Sequence, residues 1–180
     1  MKFKNIENYL ESFAKNVVQD SKKALSNNKG QTELENSIRA TVKPTAQGFS
    51  VKFYMYNYGK YLDEGVSGNK NTVSFTNIKG AKQISSFKYT KKGPPIDILS
   101  KWIKKKGIKP KGLGKGRSKK TGQFISGFAY LISKKIKREG IKSISFFQKP
   151  LGILYKQLQN DFLKMVKLDI QAYLVTYTQK

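Results

Sequence analysis

The sequence predicts an α+β fold: an N-terminal helix, an antiparallel β-sheet with a long hairpin or arm, and three further helices flanking it. Three patterns lead there. Apolar residues recur every three or four positions from Ile6 to Leu25, every second position in two runs between Leu34 and Met55, and again at helical spacing in three later segments. With 180 residues and 38% hydrophobic content, the chain is long enough to form one domain with a sizeable core.

The first helix carries Ile6, Tyr9, Leu10, Phe13, Val17, Ala24 and Leu25 on one stripe, and Asn27-Asn28-Lys29-Gly30 ends it. Leu34, Asn36, Ile38, Ala40 and Val42 then alternate with polar residues, as do Phe49, Val51, Phe53 and Met55, which predicts two half-buried strands. Pro44 to Gly48 supplies the hairpin connection. Val66 to Gly93 reads as an extended arm or long loop, with short strand patterns at Val73–Thr76 and Ile84–Tyr89. Pro94-Pro95 opens a helix whose apolar face is Ile96, Leu99, Trp102 and Ile103, and Gly107 closes it. Residues 108–122 form a basic flexible loop rich in glycine. Phe124 to Arg138 is the next helix, with Ile125, Phe128, Ile132 and Ile136 inward. After Pro150, a final helix carries Leu151, Leu154, Tyr155, Leu158, Phe162, Met165 and Val166; Ile170 to Tyr177, rich in β-branched and aromatic residues, suits a closing strand.

Composition removes most chemistry. There is no cysteine, hence no disulfide and no thiol chemistry, and no histidine, hence neither the usual general base near neutral pH nor a Ser-His-Asp arrangement. The eleven acids are scattered, and in the one adjacent pair, Asp63-Glu64, neighbouring side chains diverge. A metal nuclease would need Asp63, Glu64 and Asp97 to converge, and no spacing motif supports that. Gly112-Leu-Gly-Lys-Gly116 lacks the spacing and preceding strand of a dinucleotide loop, and Gly114 to Thr121 fails the P-loop spacing. We therefore expect no enzyme, no catalytic residue, no metal and no cofactor. No apolar run approaches the roughly 20 residues that span a bilayer, and Met1 to Leu10 lacks a signal-like apolar stretch, so no membrane partner is expected.

The net charge of +25 comes from 33 lysines and only three arginines, Arg39, Arg117 and Arg138. Polyanion binding by counterion release is one reading; lysine enrichment without arginine forks, as an AT-rich coding sequence produces, is the other. Lys79 to Lys120 alone supplies +14. Lys104, Lys105, Lys111, Lys115, Arg117, Lys119 and Lys120 are the candidate DNA contacts. Among the aromatics, Phe53, Phe124, Phe128 and Trp102 are expected in the core. Tyr54, Tyr56, Tyr58 and Tyr61 fall outside it, suited to a protein interface or to stacking on single-stranded nucleic acid.

Three segments, taken in order, carry a resemblance. They are Tyr58-Gly-Lys-Tyr-Leu-Asp-Glu-Gly-Val-Ser-Gly68, the helix Pro95 to Gly107, and Gly127-Phe-Ala-Tyr-Leu-Ile-Ser-Lys-Lys-Ile-Lys-Arg-Glu-Gly140, which runs on to Phe146-Phe147 and Pro150. Their succession resembles the tail-completion and neck proteins of tailed bacteriophages, the rings that join head to tail. The resemblance implies a virion protein, made in the host cytoplasm, that closes into a ring with copies of itself and contacts connector and tail-tube proteins, with non-specific contact to genomic DNA. Tail terminator, head-closure ring and adaptor are all open. It places an acidic residue before glycine near the subunit boundary, matched by Glu64-Gly65. Tyr56, Tyr58, Tyr61, Phe75, Phe87 and Tyr89 complete the expected interface set, while a turn or capping role for Glu64 is the alternative. The Lys-rich arm and the basic loop depart from the family pattern. The competing function is a non-specific nucleic-acid-binding protein.

Overall fold

The computed structural model describes residues 3–27, 32–108, 115–117 and 124–178. The chain divides into two compact units. The first comprises Met1–Asp63, Thr76–Gln83 and Ile144–Lys180; the second comprises Glu64–Phe75 and Ile84–Ser143.

In the first unit, α1 (Lys4–Asn27) buries Ile6, Leu10, Phe13, Ala14, Val17, Ser21 and Leu25, the stripe its spacing predicts. A short helix α2 (Thr32–Ser37) follows where a strand was expected from Leu34 onward. Leu34 and Ile38 satisfy both periods, being two alternations and one helical turn apart. The residue between them decides: Asn36, which a strand would turn inward, is exposed. Glu33 and Glu35 favour the positive start of a helix, and Ser37 Oγ donates back to Leu34 O at 2.7 Å.

The hairpin therefore starts later. β1 (Arg39–Thr45) pairs antiparallel with β2 (Gly48–Tyr54), from Arg39 opposite Tyr54 to Thr45 opposite Gly48. Only Ala46-Gln47 make the turn; Pro44 sits within β1 opposite Phe49, tolerated because the sheet has only two strands. After β2, α3 (Gly59–Asp63) ends the first stretch of this unit. Leu25, Leu34, Ile38 and Phe146 are the fully enclosed centre, flanked by Val18, Met55, Leu62, Ile144 and Phe147. Phe13, Phe53 and Phe147 extend it edge to face, with ring centroids 6.4 and 5.5 Å apart.

Two buried carboxylates anchor the helix ends of this unit. Asp63 accepts hydrogen bonds from the backbone N–H of Phe147 (2.8 Å) and Gln148 (3.4 Å) where the last helix begins. Asp169, on that helix, accepts Asn5 N, Asn5 Nδ2 and Ile6 N at 2.9–3.0 Å and so caps α1. With Tyr9 Oη donating to Asp161, these contacts run the two helices antiparallel. The last helix spans Gln148–Thr178 without a break, so Ile170 to Tyr177 is helical and not the expected strand. Asp169 can reach the start of α1 only if the helix persists through it. Pro150 falls in its first turn, where its missing N–H costs nothing.

In the second unit, β3 (Val66–Ser67) pairs antiparallel with a two-residue strand, Gly140–Ile141, and Ser67 bridges in parallel to Lys88. The hairpin β4 (Ser74–Thr76) and β5 (Lys82–Ile84) lies within the expected arm; Phe75 is buried in the second unit, and residues 76–83 belong to the first. The helix α4 (Ile96–Lys105) buries Ile103, with Ile96 and Leu99 half-buried. Trp102, expected in the core, is 45% exposed, because it lies about 100° round the helix from Ile103. Lys115–Arg117 (β6) pairs antiparallel with Phe124–Ser126 (β7), so part of the expected flexible loop is a strand. The expected helix from Phe124 also starts later: α5 spans Gly127–Glu139 and buries Ala129 and Ser133, leaving Ile125 on β7. β8 is Gly140–Ile141, and α6 is Gln148–Thr178.

Burial works to raise the Asp169 carboxyl's pKa, but the hydrogen bonds from Asn5 and Ile6 outweigh it and hold the group below its ordinary value. A depressed folded-state pKa contributes stability that is full above the unfolded value, about 4, and is lost as pH falls through the lower folded value. Asp169→Ala is expected to lower unfolding stability by about 1–2 kcal/mol at neutral pH. Urea titrations repeated at falling pH should show the wild type converging on the variant below about pH 4.

Candidate functional site

The tyrosines leaving β2 form an exposed aromatic surface on the first unit. Tyr54 points away from the core side of β2, and beyond the strand Ser37 Oγ accepts Tyr56 N at 3.1 Å. Gly59 N donates to Tyr56 O and Tyr61 N to Tyr58 O, winding the chain into a tight turn. Gly59 lets the chain pass close to the Met55 side chain, whose Sδ would have to shift from a Cβ 2.7 Å away. The turn stacks the Tyr56 and Tyr58 rings at 5.8 Å and 23°. Arg39 lies 5.3 Å over the Tyr54 ring and Lys60 Nζ 5.2 Å over Tyr61. Beside them, Glu33, Asn36, Arg39, Tyr54 and Tyr56 line a shallow hollow of about 400 Å³. Burial, then the negative field of Glu33 and the neighbouring Tyr56, pushes the Tyr58 hydroxyl above its ordinary pKa, so it stays a neutral donor. Tyr56 is 53% exposed and Tyr58 and Tyr61 about 40%. Rigid aromatic rings with polar tips bury much area at little entropic cost, as contact surfaces require.

The remaining expected interface residues fall in the second unit and are less exposed. Glu64 is half-buried and accepts Ser86 Oγ at 3.2 Å. Gly65 has φ +73° and its carbonyl accepts Ser85 Oγ at 2.7 Å, so Glu64-Gly65 works as a turn here. Phe75 is buried, and Phe87 and Tyr89 are half-buried, their backbones bonded to Ser67. Burial also raises the Tyr89 hydroxyl's pKa.

Here the first and third segments singled out in the sequence meet. Val66 pairs with Ile141 and Ser67 with Gly140. A Cβ on Gly68 would lie 2.2 Å from the Arg138 carbonyl, and one on Gly140 2.2 Å from the Val66 carbonyl, so backbone passes directly against backbone. The middle segment, α4, packs on α5. Ser133 on α5 donates to the Pro94 carbonyl at 2.7 Å, and Lys137 Nζ to the Lys91 carbonyl at 2.9 Å. These buried serines and the two capping aspartates escaped the sequence reading; only a polar residue at an inward position of an apolar pattern, as at Ser133, hinted at them.

Among the candidate DNA contacts, Lys104 and Lys105 are exposed in the last turn of α4, where positive charge suits the helix end. Lys115 and Arg117 lie on β6 opposite Ser126 and Phe124. Lys111, Lys119 and Lys120 lie outside the described residues. The second unit carries nineteen Lys and Arg against three acids, a net +16 of the chain's +25.

Asp63 and Glu64 serve separate partners, a helix start and Ser86, and Asp97 is exposed on α4. Among the described residues no cluster of three or more acids is placed to hold a metal, and no helix is long and apolar enough to cross a membrane. No protein-family model, no curated protein and no solved structure matches this chain.

The glycine crossing makes a graded prediction. Gly107 has φ +64° but open space around its Cβ position, so Gly107→Ala is expected to cost about 1 kcal/mol. Gly68→Ala must displace the Arg138 backbone and should cost about 3 kcal/mol or more, read as a much larger fall in thermal midpoint.

Proposed function

We propose that this protein is a structural component of the head-to-tail interface of a tailed bacteriophage, a subunit that closes into a ring with its own copies and joins tail to head connector. One observation carries the reading. The segments whose order resembles the tail-completion and neck proteins are joined in space: Val66 to Gly68 and Arg138 to Ile141 cross backbone to backbone, with glycine where the crossing demands it. Short segments whose parts pack directly on one another are better support than three unrelated short matches.

The job needs no catalysis. A closed ring built from one kind of subunit repeats a single head-to-tail contact, and the tyrosine surface from Tyr54 to Tyr61 is suited to be one side of it. Glu64 and Gly65 then act by shaping the turn beside that surface's sequence, not by reaching a partner directly. A basic segment near the bore would hold DNA without reading its sequence. Because a strongly basic lumen would retard sliding DNA, most of the charge is assigned to protein partners or the outer face.

The net +16 of the second unit favours one other reading, a non-specific nucleic-acid-binding protein. The two readings part in the same experiment. Purified full-length protein is imaged by negative-stain electron microscopy, and its affinity for duplex DNA is measured between 50 and 300 mM salt. Closed rings with weak DNA affinity are expected. Dispersed monomers that hold DNA tightly at 150 mM, with a steep salt dependence, would replace the ring reading with the nucleic-acid one. Replacing both Tyr56 and Tyr58 by alanine is expected to reduce ring formation about tenfold or more while leaving the thermal midpoint within a few degrees. Rings of undiminished yield would remove the tyrosines from the interface.

A further inference from the structure

We propose that the far end of α6 is a docking element, and that its occupant site is an apolar groove on the first unit of a second copy of this chain. Asp169 sits against Asn5 and Ile6 at the start of α1, so residues 170–178 run on past those contacts by roughly 13 Å. Every residue from Ile170 to Thr176 is exposed, including Ile170, Tyr173, Leu174 (55%) and Val175. From Leu168 to Thr178 there is no Lys or Arg, and the one acid, Asp169, is consumed in capping α1. The stretch also holds Ile170, Val175, Thr176 and Thr178, poor helix formers, so intrinsic propensity gives it little support and side-chain packing is what would stabilise it.

The groove lies elsewhere on the same unit. Leu10 and Phe13 of α1, Val51 and Phe53 of β2, and Leu151 and Leu158 of α6 line about 380 Å³ of almost wholly apolar space. Three features select its occupant. The lining offers nothing to an acidic partner, for which the lysine-rich surfaces are the better match. A chain of +25 repels its own copies everywhere that lysines face each other, and contact is least opposed where neither side is charged. The far end of α6 is such a surface, and so is the groove.

The helix cannot fill its own groove. Leu174 is sixteen residues beyond Leu158, about 24 Å along a continuous helix. A second copy can. The contact serves either a reciprocal pair or a head-to-tail ring, so it does not rest on the ring reading.

The chain has no cysteine, which makes the test direct. Full-length Leu158→Cys and Leu174→Cys proteins are mixed and mildly oxidised, with Leu158→Cys plus Ile98→Cys as the collision background. A mixed disulfide well above that background is expected. In parallel, Leu174→Asp is compared with wild type by analytical ultracentrifugation; its exposed position should leave the fold intact, and it should weaken self-association about tenfold or more. Rings that persist in Leu174→Asp, with cross-linking at background, overturn the docking element while leaving the ring reading standing. Two-copy particles that cross-link and never form rings support the docking element and overturn the ring. A wild type that stays monomeric at 100 µM overturns both.

Discussion

Two buried carboxylates hold the first unit in register, and each does so by capping a helix far away in the chain. Asp63 stands at the start of α6, and Asp169, on α6, stands at the start of α1. Helix starts leave backbone N–H groups unpaired, and a carboxylate both accepts those bonds and complements the positive end of the helix. The chain has only eleven acids among thirty-six basic residues, so two of them are spent where no lysine could substitute. Fixing both ends this way sets how α1 lies along α6. That alignment brings Phe13, Phe53 and Phe147 edge to face and closes the centre around Leu25, Leu34, Ile38 and Phe146.

The second unit uses a different device. Few of its described apolar residues are fully buried: Val66, Phe75, Ile103 and Ala129. It gains compactness by letting backbone meet backbone at Gly68 and Gly140 and by satisfying the resulting buried polar groups with serines. Ser85 binds the Gly65 carbonyl, Ser133 the Pro94 carbonyl, and Ser67 Oγ accepts Val73 N. Such packing tolerates a heavily basic surface, since few long side chains must be turned inward.

How much of this the sequence discloses depends on where the deciding force lies. The stripe of α1 and the alternation of β2 are sustained local patterns, and both elements appear where they are expected. α2 was hidden because Leu34 and Ile38 fit helix and strand alike, and only the exposure of Asn36 separates them. The end of α6 was hidden for the opposite reason: local preference favours a strand from Ile170 to Tyr177, yet the helix that Asp169 anchors to α1 continues through Thr178. Trp102 misled because a bulky apolar residue on a short amphipathic helix can border the buried stripe without joining it. Of the candidate site, the outward tyrosines were legible from the alternation of β2. The turn role of Glu64 stood in the sequence beside an interface role, and only its bond to Ser86 and the φ of Gly65 decide between them; the burial of Phe75 within the expected arm was not legible.

Charge gives the assembly problem its shape. Copies of a +25 chain can approach closely only through surfaces from which lysine is missing or where it is balanced. The tyrosine surface meets that condition in part, with Glu33 lining the same hollow as Arg39 and with Arg39 and Lys60 laid over aromatic faces. The far end of α6 meets it by absence. The second unit, at +16, carries most of the chain's net charge. Exposed charge is screened by salt while apolar burial is strengthened by it, so the two kinds of contact respond oppositely to ionic strength. Self-association through these two surfaces should therefore tighten as salt rises, whereas any hold on DNA loosens, and a salt series reports which surface carries a given interaction.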